Sequence, residues 1–149
     1  MSKSNLNNIS QQIKACTRCP LRENSTQPVP GYGNPKAKYF LIGEAPGREE
    51  DKAGIPFVGQ AGKRLNQLLE LSQIDINDCY LTNVCRCRPP SNRTPRKVEV
   101  RACVDYLWAE LRAIQPEYVI TLGATPLKLF NEVGVSQLHG TMFEVEIED

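Results

Sequence analysis

The parts of this 149-residue chain that could do chemistry are six cysteines, one histidine and a glycine-rich loop with an acid in it. The loop reads Gly43-Glu44-Ala45-Pro46-Gly47, and twelve positions after Gly47 comes Gly59, inside Pro56-Phe57-Val58-Gly59-Gln60-Ala61-Gly62. It leaves a short apolar run, Tyr39 to Ile42, and leads into a helical pattern at Leu65, Leu68 and Leu69. A glycine-rich loop between a strand and a helix leaves backbone N–H groups and a helix N-terminus open to a ligand. With the Glu44 carboxylate and the Phe57 ring beside them, those N–H groups suit a flat, polar molecule.

The cysteines carry a second chemistry. Cys16 and Cys19 form C-x-x-C, which lets one turn present two thiolates to one metal centre. Cys85 and Cys87 form C-x-C, and Cys103 lies sixteen positions beyond Cys87. Zinc ribbons pair two C-x-x-C knuckles, whereas this chain has one; its single histidine, His139, excludes a Cys2His2 site. One knuckle plus two separated cysteines suits a four-thiolate centre, iron–sulfur or zinc. Cys79 opens an apolar run and reads as core, while Cys85 either is core or competes with Cys87 as a ligand.

The elements that must position these groups follow from periodicity and punctuation. Asn5 to Lys14 fits a short amphipathic helix, and residues 22–37, with three prolines and two glycines, fit a long loop. Strands are expected at Lys38–Ile42, Cys79–Val84, Tyr118–Leu122 and Met142–Ile147, the third of them central because it is apolar throughout. Helices are expected at Ala61–Leu71, from a Thr94-Pro95 cap to about Ile114, and from a Thr125-Pro126 cap to about Glu132. Strand and helix alternate, so the fold class is α/β: a three-layer sandwich, its largely parallel central sheet flanked by helices. Ligands of such sheets bind beyond the carboxyl ends of the strands. The loops after Ile42, Val84 and Leu122 should therefore share one rim, with Glu44, Phe57, Asn83, Asn92 and the arginines near one another.

Composition narrows the class. The chain suits a single domain, residues 1–149, with 40% hydrophobic and 23% charged residues. It has no apolar run of membrane-span length and no signal-peptide pattern, so a cytoplasmic location, away from membranes, is expected. Six cysteines in a reducing compartment are ligands or core residues rather than a disulfide framework. Net charge is only +1, but Arg86, Arg88, Arg93, Arg96, Lys97 and Arg101 crowd between Cys85 and Cys103 against one acid, Glu99. Such clustering is compatible with a phosphate-binding face, and equally with a solvated basic loop. Nothing suggests an oligomer, and a monomer is expected.

Taken in order, these pieces resemble the family 4 uracil-DNA glycosylases, the iron–sulfur branch of that superfamily. Gly43-Glu44-Ala45-Pro46-Gly47 with Glu50-Asp51 is similar to the family's first active-site motif, and Pro56 to Gly62 to the segment after it. Thr82-Asn83-Val84, the loop from Cys87 to Arg93, and Leu122-Gly123-Ala124-Thr125 match later motifs. The resemblance implies removal of uracil from single- or double-stranded DNA, leaving an abasic site, and a [4Fe–4S] cluster on Cys16, Cys19, Cys87 and Cys103. It implies that Asn83 reads the base edge, Phe57 stacks on the base, and backbone around Gly43, Glu44 and Ala45 binds a uracil carbonyl. Glu44 is then the first candidate for the catalytic carboxylate and Glu50 the second. Asn92 orders water or the phosphate-facing loop, and Arg88 and Arg93 meet DNA.

Two departures qualify the match. Many superfamily members carry a water-activating aspartate where this chain has Ala45, so leaving-group stabilisation must outweigh proton abstraction. Family members also continue into a His-Pro-Ser-like motif whose histidine steadies the departing base. This chain ends at Glu148-Asp149, and His139, in Leu138-His139-Gly140, does not stand in for that residue. The expectation is a fragment of weakened or lost activity, or an inert iron–sulfur DNA-binding module.

Overall fold

A computed structural model describes residues 2–130, with side chains described from Asn5 onward. The Met142–Ile147 strand and His139 lie outside the described residues. The helix expected from a Thr125-Pro126 cap to about Glu132 is instead one short turn, Ala124–Leu127, with Gly123 and not Thr125 at its cap.

The sheet grows from a strand that is apolar on both faces. Strands β1 (Tyr32–Gly33), β2 (Tyr39–Gly43), β3 (Cys79–Asn83) and β4 (Tyr118–Thr121) stand in the order β1-β3-β2-β4. β2 runs parallel to both β3 and β4, and β1 pairs antiparallel with β3. Phe40 and Ile42 point into one core with Tyr80 and Val84, while Leu41 points into the other with Leu65, Leu69 and Leu81. That alternation is the period-two geometry of a strand covered on both sides. Each fully buried apolar side chain contributes about 1.5–3 kcal/mol. Helices α1 (Ser2–Lys14) and α5 (Lys97–Ile114) pack on each other and cover the first face; α4 (Gln60–Leu71) covers the second. The three-layer α/β class expected from the alternation of elements is the one observed.

Three expectations change. Residues 22–37 are more than loop, holding most of the short helix α2 (Leu21–Asn24) and the edge strand β1. β4 pairs with β2, its one neighbour among the described residues, and its side chains are half-buried or exposed where its apolar run suggested full burial. Thr94 does not cap α5: the helix begins two residues after Pro95, and the Glu99 carboxylate takes the N–H of Arg96 at 2.7 Å instead. A short helix, α3 (Arg48–Ala53), and a last one, α6 (Ala124–Leu127), complete the described elements. No described helix is long and apolar enough to cross a membrane.

Candidate functional site

The parallel register puts Gly43 directly opposite Asn83 at the carboxyl ends of β2 and β3. Beyond the strands the pairing continues, Val84 N–H to the Gly43 carbonyl (2.9 Å) and Cys85 N–H to the Glu44 carbonyl (3.0 Å), which fixes the loop after β2. A side chain at Gly43 would lie 2.5 Å from Asn83 Oδ1 and 2.7 Å from the Phe57 ring, so only glycine leaves room for the two to converge. Asn83 is 4% exposed and ends β3 at this rim. A carboxamide there can offer one acceptor and one donor to a ligand edge.

Phe57 is held there at a backbone cost. It sits at φ 59°, an uncommon conformation for a bulky residue. Its carbonyl rests on Gly62 of α4, where any Cβ would collide with it. Glu50 completes the loop, its carboxylate accepting the N–H groups of Gly47 (2.9 Å), Val58 (3.0 Å) and Gly59 (2.6 Å). Asp51, 5% exposed, accepts the Thr26 N–H at 2.9 Å and so ties α3 to the segment after α2. Glu44, half-buried, accepts the Thr125 hydroxyl at 2.9 Å, which joins the loop after β2 to α6. The loops after β2, β3 and β4 thus share a rim, as expected. Ala45 is half-buried beside Glu44 on that loop.

The other candidates are engaged with partners of their own. Asn92, exposed at φ 56°, accepts the Arg88 Nε–H at 2.7 Å. Arg93 is gripped by Glu99 through both terminal nitrogens, each at 2.8 Å. No hydrogen bond or ion pair joins Asn92, Arg88 or Arg93 to Glu44 or Asn83 among the described residues. Arg86 departs furthest from its expected place. Instead of joining a basic surface it is 1% exposed, bound through both terminal nitrogens to the fully buried Glu110. Glu110 also accepts the hydroxyls of Tyr80 (2.9 Å) and Thr82 (2.8 Å). Breaking one side of such a pair costs about 3–5 kcal/mol, whereas replacing both partners by apolar groups is often neutral.

A second neighbourhood gathers the cysteines. Cys16, Cys19, Cys87 and Cys103 line one cavity with Leu21, Pro28, Ala102 and Arg86. The Arg86 backbone N–H donates to Cys103 Sγ at 3.2 Å. The Ser25 hydroxyl donates to the Arg22 carbonyl at 3.3 Å. Arg18 lies 4.7 Å over the Tyr106 ring. Burial raises the Cys87 thiol to about 11, against the pull of Ser25. Cys103 is lowered to about 7, first by the Cys85 thiol that donates to it and then by Arg86. Cys85 is itself fully buried, does not line the cavity and is pushed upward by the same contact, so it packs behind Cys103. Cys79 is core, as read from the sequence.

Among the described residues, no three His, Cys, Asp or Glu side chains converge as closely as a single metal ion requires. The four cysteines nonetheless line one cavity, and four thiolates are a donor set that zinc and iron–sulfur centres share.

Sequence reasoning placed Asp51 and Thr125 in motifs without their partners Thr26 and Glu44, and missed the Arg86–Glu110 pair. Glu110 left a signal: it shares the buried stripe of α5 with Leu107, Leu111 and Ile114, where an acid needs a partner.

The model of the uracil DNA glycosylase superfamily matches residues 30–147. The chain is 44% identical over 135 residues to the type-4 uracil-DNA glycosylase of Thermotoga maritima, across 89% of this chain and 70% of that protein. It is 43% identical over 147 residues to the type-4 enzyme of Archaeoglobus fulgidus, across 95% and 74%. A type-5 uracil-DNA glycosylase of Thermus thermophilus is 36% identical over 99 residues, across 57% and 45%.

Proposed function

The chain belongs to the uracil DNA glycosylase superfamily, among its type-4 members, and from that premise we propose that it excises uracil from DNA, hydrolysing the N-glycosidic bond to leave an abasic site. The observation that carries this reading is the convergence of the Asn83 carboxamide and the Phe57 ring over Gly43, beside Glu44. A base inside a duplex is out of reach, so the target nucleotide is flipped into the pocket or taken from a single strand. Phe57 stacks on it. Asn83 accepts the uracil N3–H at Oδ1 and donates from Nδ2 to O4, a pairing that cytosine inverts.

As the bond breaks, negative charge grows on the base and positive charge on the sugar. Backbone N–H groups of Glu44 and Ala45 meet the base O2, and they need no reorganisation when the charge develops. The Glu44 carboxylate, steadied by Thr125, faces the sugar cation or the attacking water. Glu50 has a different role in this reading from the one first assigned: with three backbone N–H groups on its oxygens it shapes the loop rather than acting on substrate. Asn92 sets the Arg88 side chain toward a DNA phosphate, and Arg93 steadies the start of α5 through Glu99.

Cys16, Cys19, Cys87 and Cys103 hold a [4Fe–4S] cluster in the same reading. When bound, the cluster supplies a four-thiolate crosslink and a redox-active iron centre. The crosslink pins the α1–α2 turn and the Arg-rich loop to α5, and closing long loops is where a crosslink stabilises most.

A single-turnover assay on a 5′-labelled single-stranded oligonucleotide with one uracil tests the proposal. Alkali-labile cleavage at the uracil, and none at thymine, is expected. Salt-dependent binding to the oligonucleotide without release of uracil would make the chain a DNA-binding module instead.

A further inference from the structure

Arg86 has surroundings that uracil chemistry does not use. Its terminal nitrogens are both on Glu110, yet its Nε is the one buried side-chain polar atom without a partner among the described residues. The same residue lines the cysteine cavity, precedes Cys87 in sequence and donates its backbone N–H to Cys103 Sγ. A buried N–H with no acceptor costs about as much as a lost hydrogen bond, so its retention calls for an acceptor. Besides the cysteines and three arginines, the cavity is lined by Leu21, Pro28 and Ala102, which have no side-chain acceptor. Among the lining side chains, the acceptors left to it are the cysteine sulfurs and what they hold.

We propose that Arg86 is a positioning residue of the cysteine centre, its Nε–H and its charge directed at the bound cluster and Glu110 its fixed counter-charge, so that the pair sets the cluster's reduction potential. The inference rests on the iron–sulfur reading above. A cluster on four thiolates is anionic and gains a negative charge on reduction, so a nearby cation favours the reduced form. Burial keeps solvent and salt from screening that cation. Arg86 lines the cavity and Glu110 does not, so the positive partner of the pair is the residue nearer the centre. Removing Glu110's charge should raise the potential, and removing the whole pair should lower it.

The test is a poised-potential titration of the iron-loaded protein, followed by electron paramagnetic resonance. The double variant Arg86→Met/Glu110→Leu leaves no unpaired buried charge and should keep the fold and the iron content. Its reduction equilibrium should shift roughly tenfold toward the oxidised form, about 59 mV for one electron. Glu110→Gln should shift it the other way. If the double variant fails to fold, Arg86→Lys, which keeps the charge and lacks Nε, should give a smaller shift toward the oxidised form. A structural role alone would alter iron content or Tm without these opposed shifts. Loaded proteins with unchanged potentials, or a wild-type cluster with no transition in the accessible range, overturn this inference and leave the cluster reading standing. A wild-type protein purified anaerobically without iron or colour overturns both.

Discussion

At the strand ends the working groups are few and the scaffold that aims them is backbone. Gly43 clears the space, Gly62 lets the Phe57 carbonyl settle on α4, and Glu50 draws three N–H groups of the loop onto one carboxylate. At the cysteine end the working groups come from three segments of the chain, Cys16 with Cys19, Cys87 and Cys103, and the Arg86 backbone N–H reaches one of the sulfurs. The first site is assembled by the sheet before any ligand arrives. The second is lined by its cysteines, and in the proposed reading a bound centre joins its parts. The two ends should therefore fail differently: pocket variants lose rate while keeping the fold, and cysteine variants lose the centre itself.

The largest effects should be at the cysteines. Cys87→Ser or Cys103→Ser should abolish the brown colour and iron content of anaerobically purified protein, while Cys79→Ser should leave both. Visible absorbance with iron analysis reads this directly; colour lost with Cys79→Ser and kept with Cys87→Ser would break the assignment of the two regions. Glu44→Gln should slow single-turnover uracil release roughly 10²-fold at full iron content, the scale of losing one electrostatic contact to the transition state. Glu50→Gln should act through the loop. Losing charge-assisted hydrogen bonds, each about 1.5–3 kcal/mol, it should lower Tm and slow release roughly tenfold through misplacement of Phe57. Release unchanged in Glu50→Gln would mean that the loop does not position the ring.

The smallest effect concerns Glu99, held at about 2 by Arg93, by the Arg96 N–H and by their charges. A folded-state pKa below the unfolded 4.5 contributes stability that is present above about pH 4.5 and lost as pH falls through about 2. Arg93 is partly exposed, which screens the pair. Glu99→Gln should lower Tm at pH 7 by about 2–4 °C, and melts at several pH values should find the gap closing toward pH 2. A gap that persists at pH 2 would assign the loss to packing instead.

Much of the pocket was legible because its signals are local. A loop glycine, a strand-end asparagine and a run of apolar residues each announce a backbone geometry within a few residues, and parallel pairing carries Gly43 to Asn83. What the sequence hid is whatever depends on a distant partner. Arg86 reads as one of six basic residues until Glu110, on the buried stripe of α5, is known to meet it. Arg93 reads as free until Glu99 takes both its nitrogens. Tyr118 to Thr121 is as apolar as a central strand, and only the pairing pattern puts it beside β2 alone among the described residues.

The central claim is that the Asn83 carboxamide reads uracil at the strand ends while the cysteine centre stays apart from bond cleavage. Single-turnover uracil release by Asn83→Asp, beside the unaltered protein and with iron content measured on both, tests it most directly. The account predicts equal iron in the two proteins and a loss in rate of roughly 10³-fold or more, since a carboxylate cannot donate to O4 and leaves the base edge mispaired. Equal rates at equal iron content would contradict it.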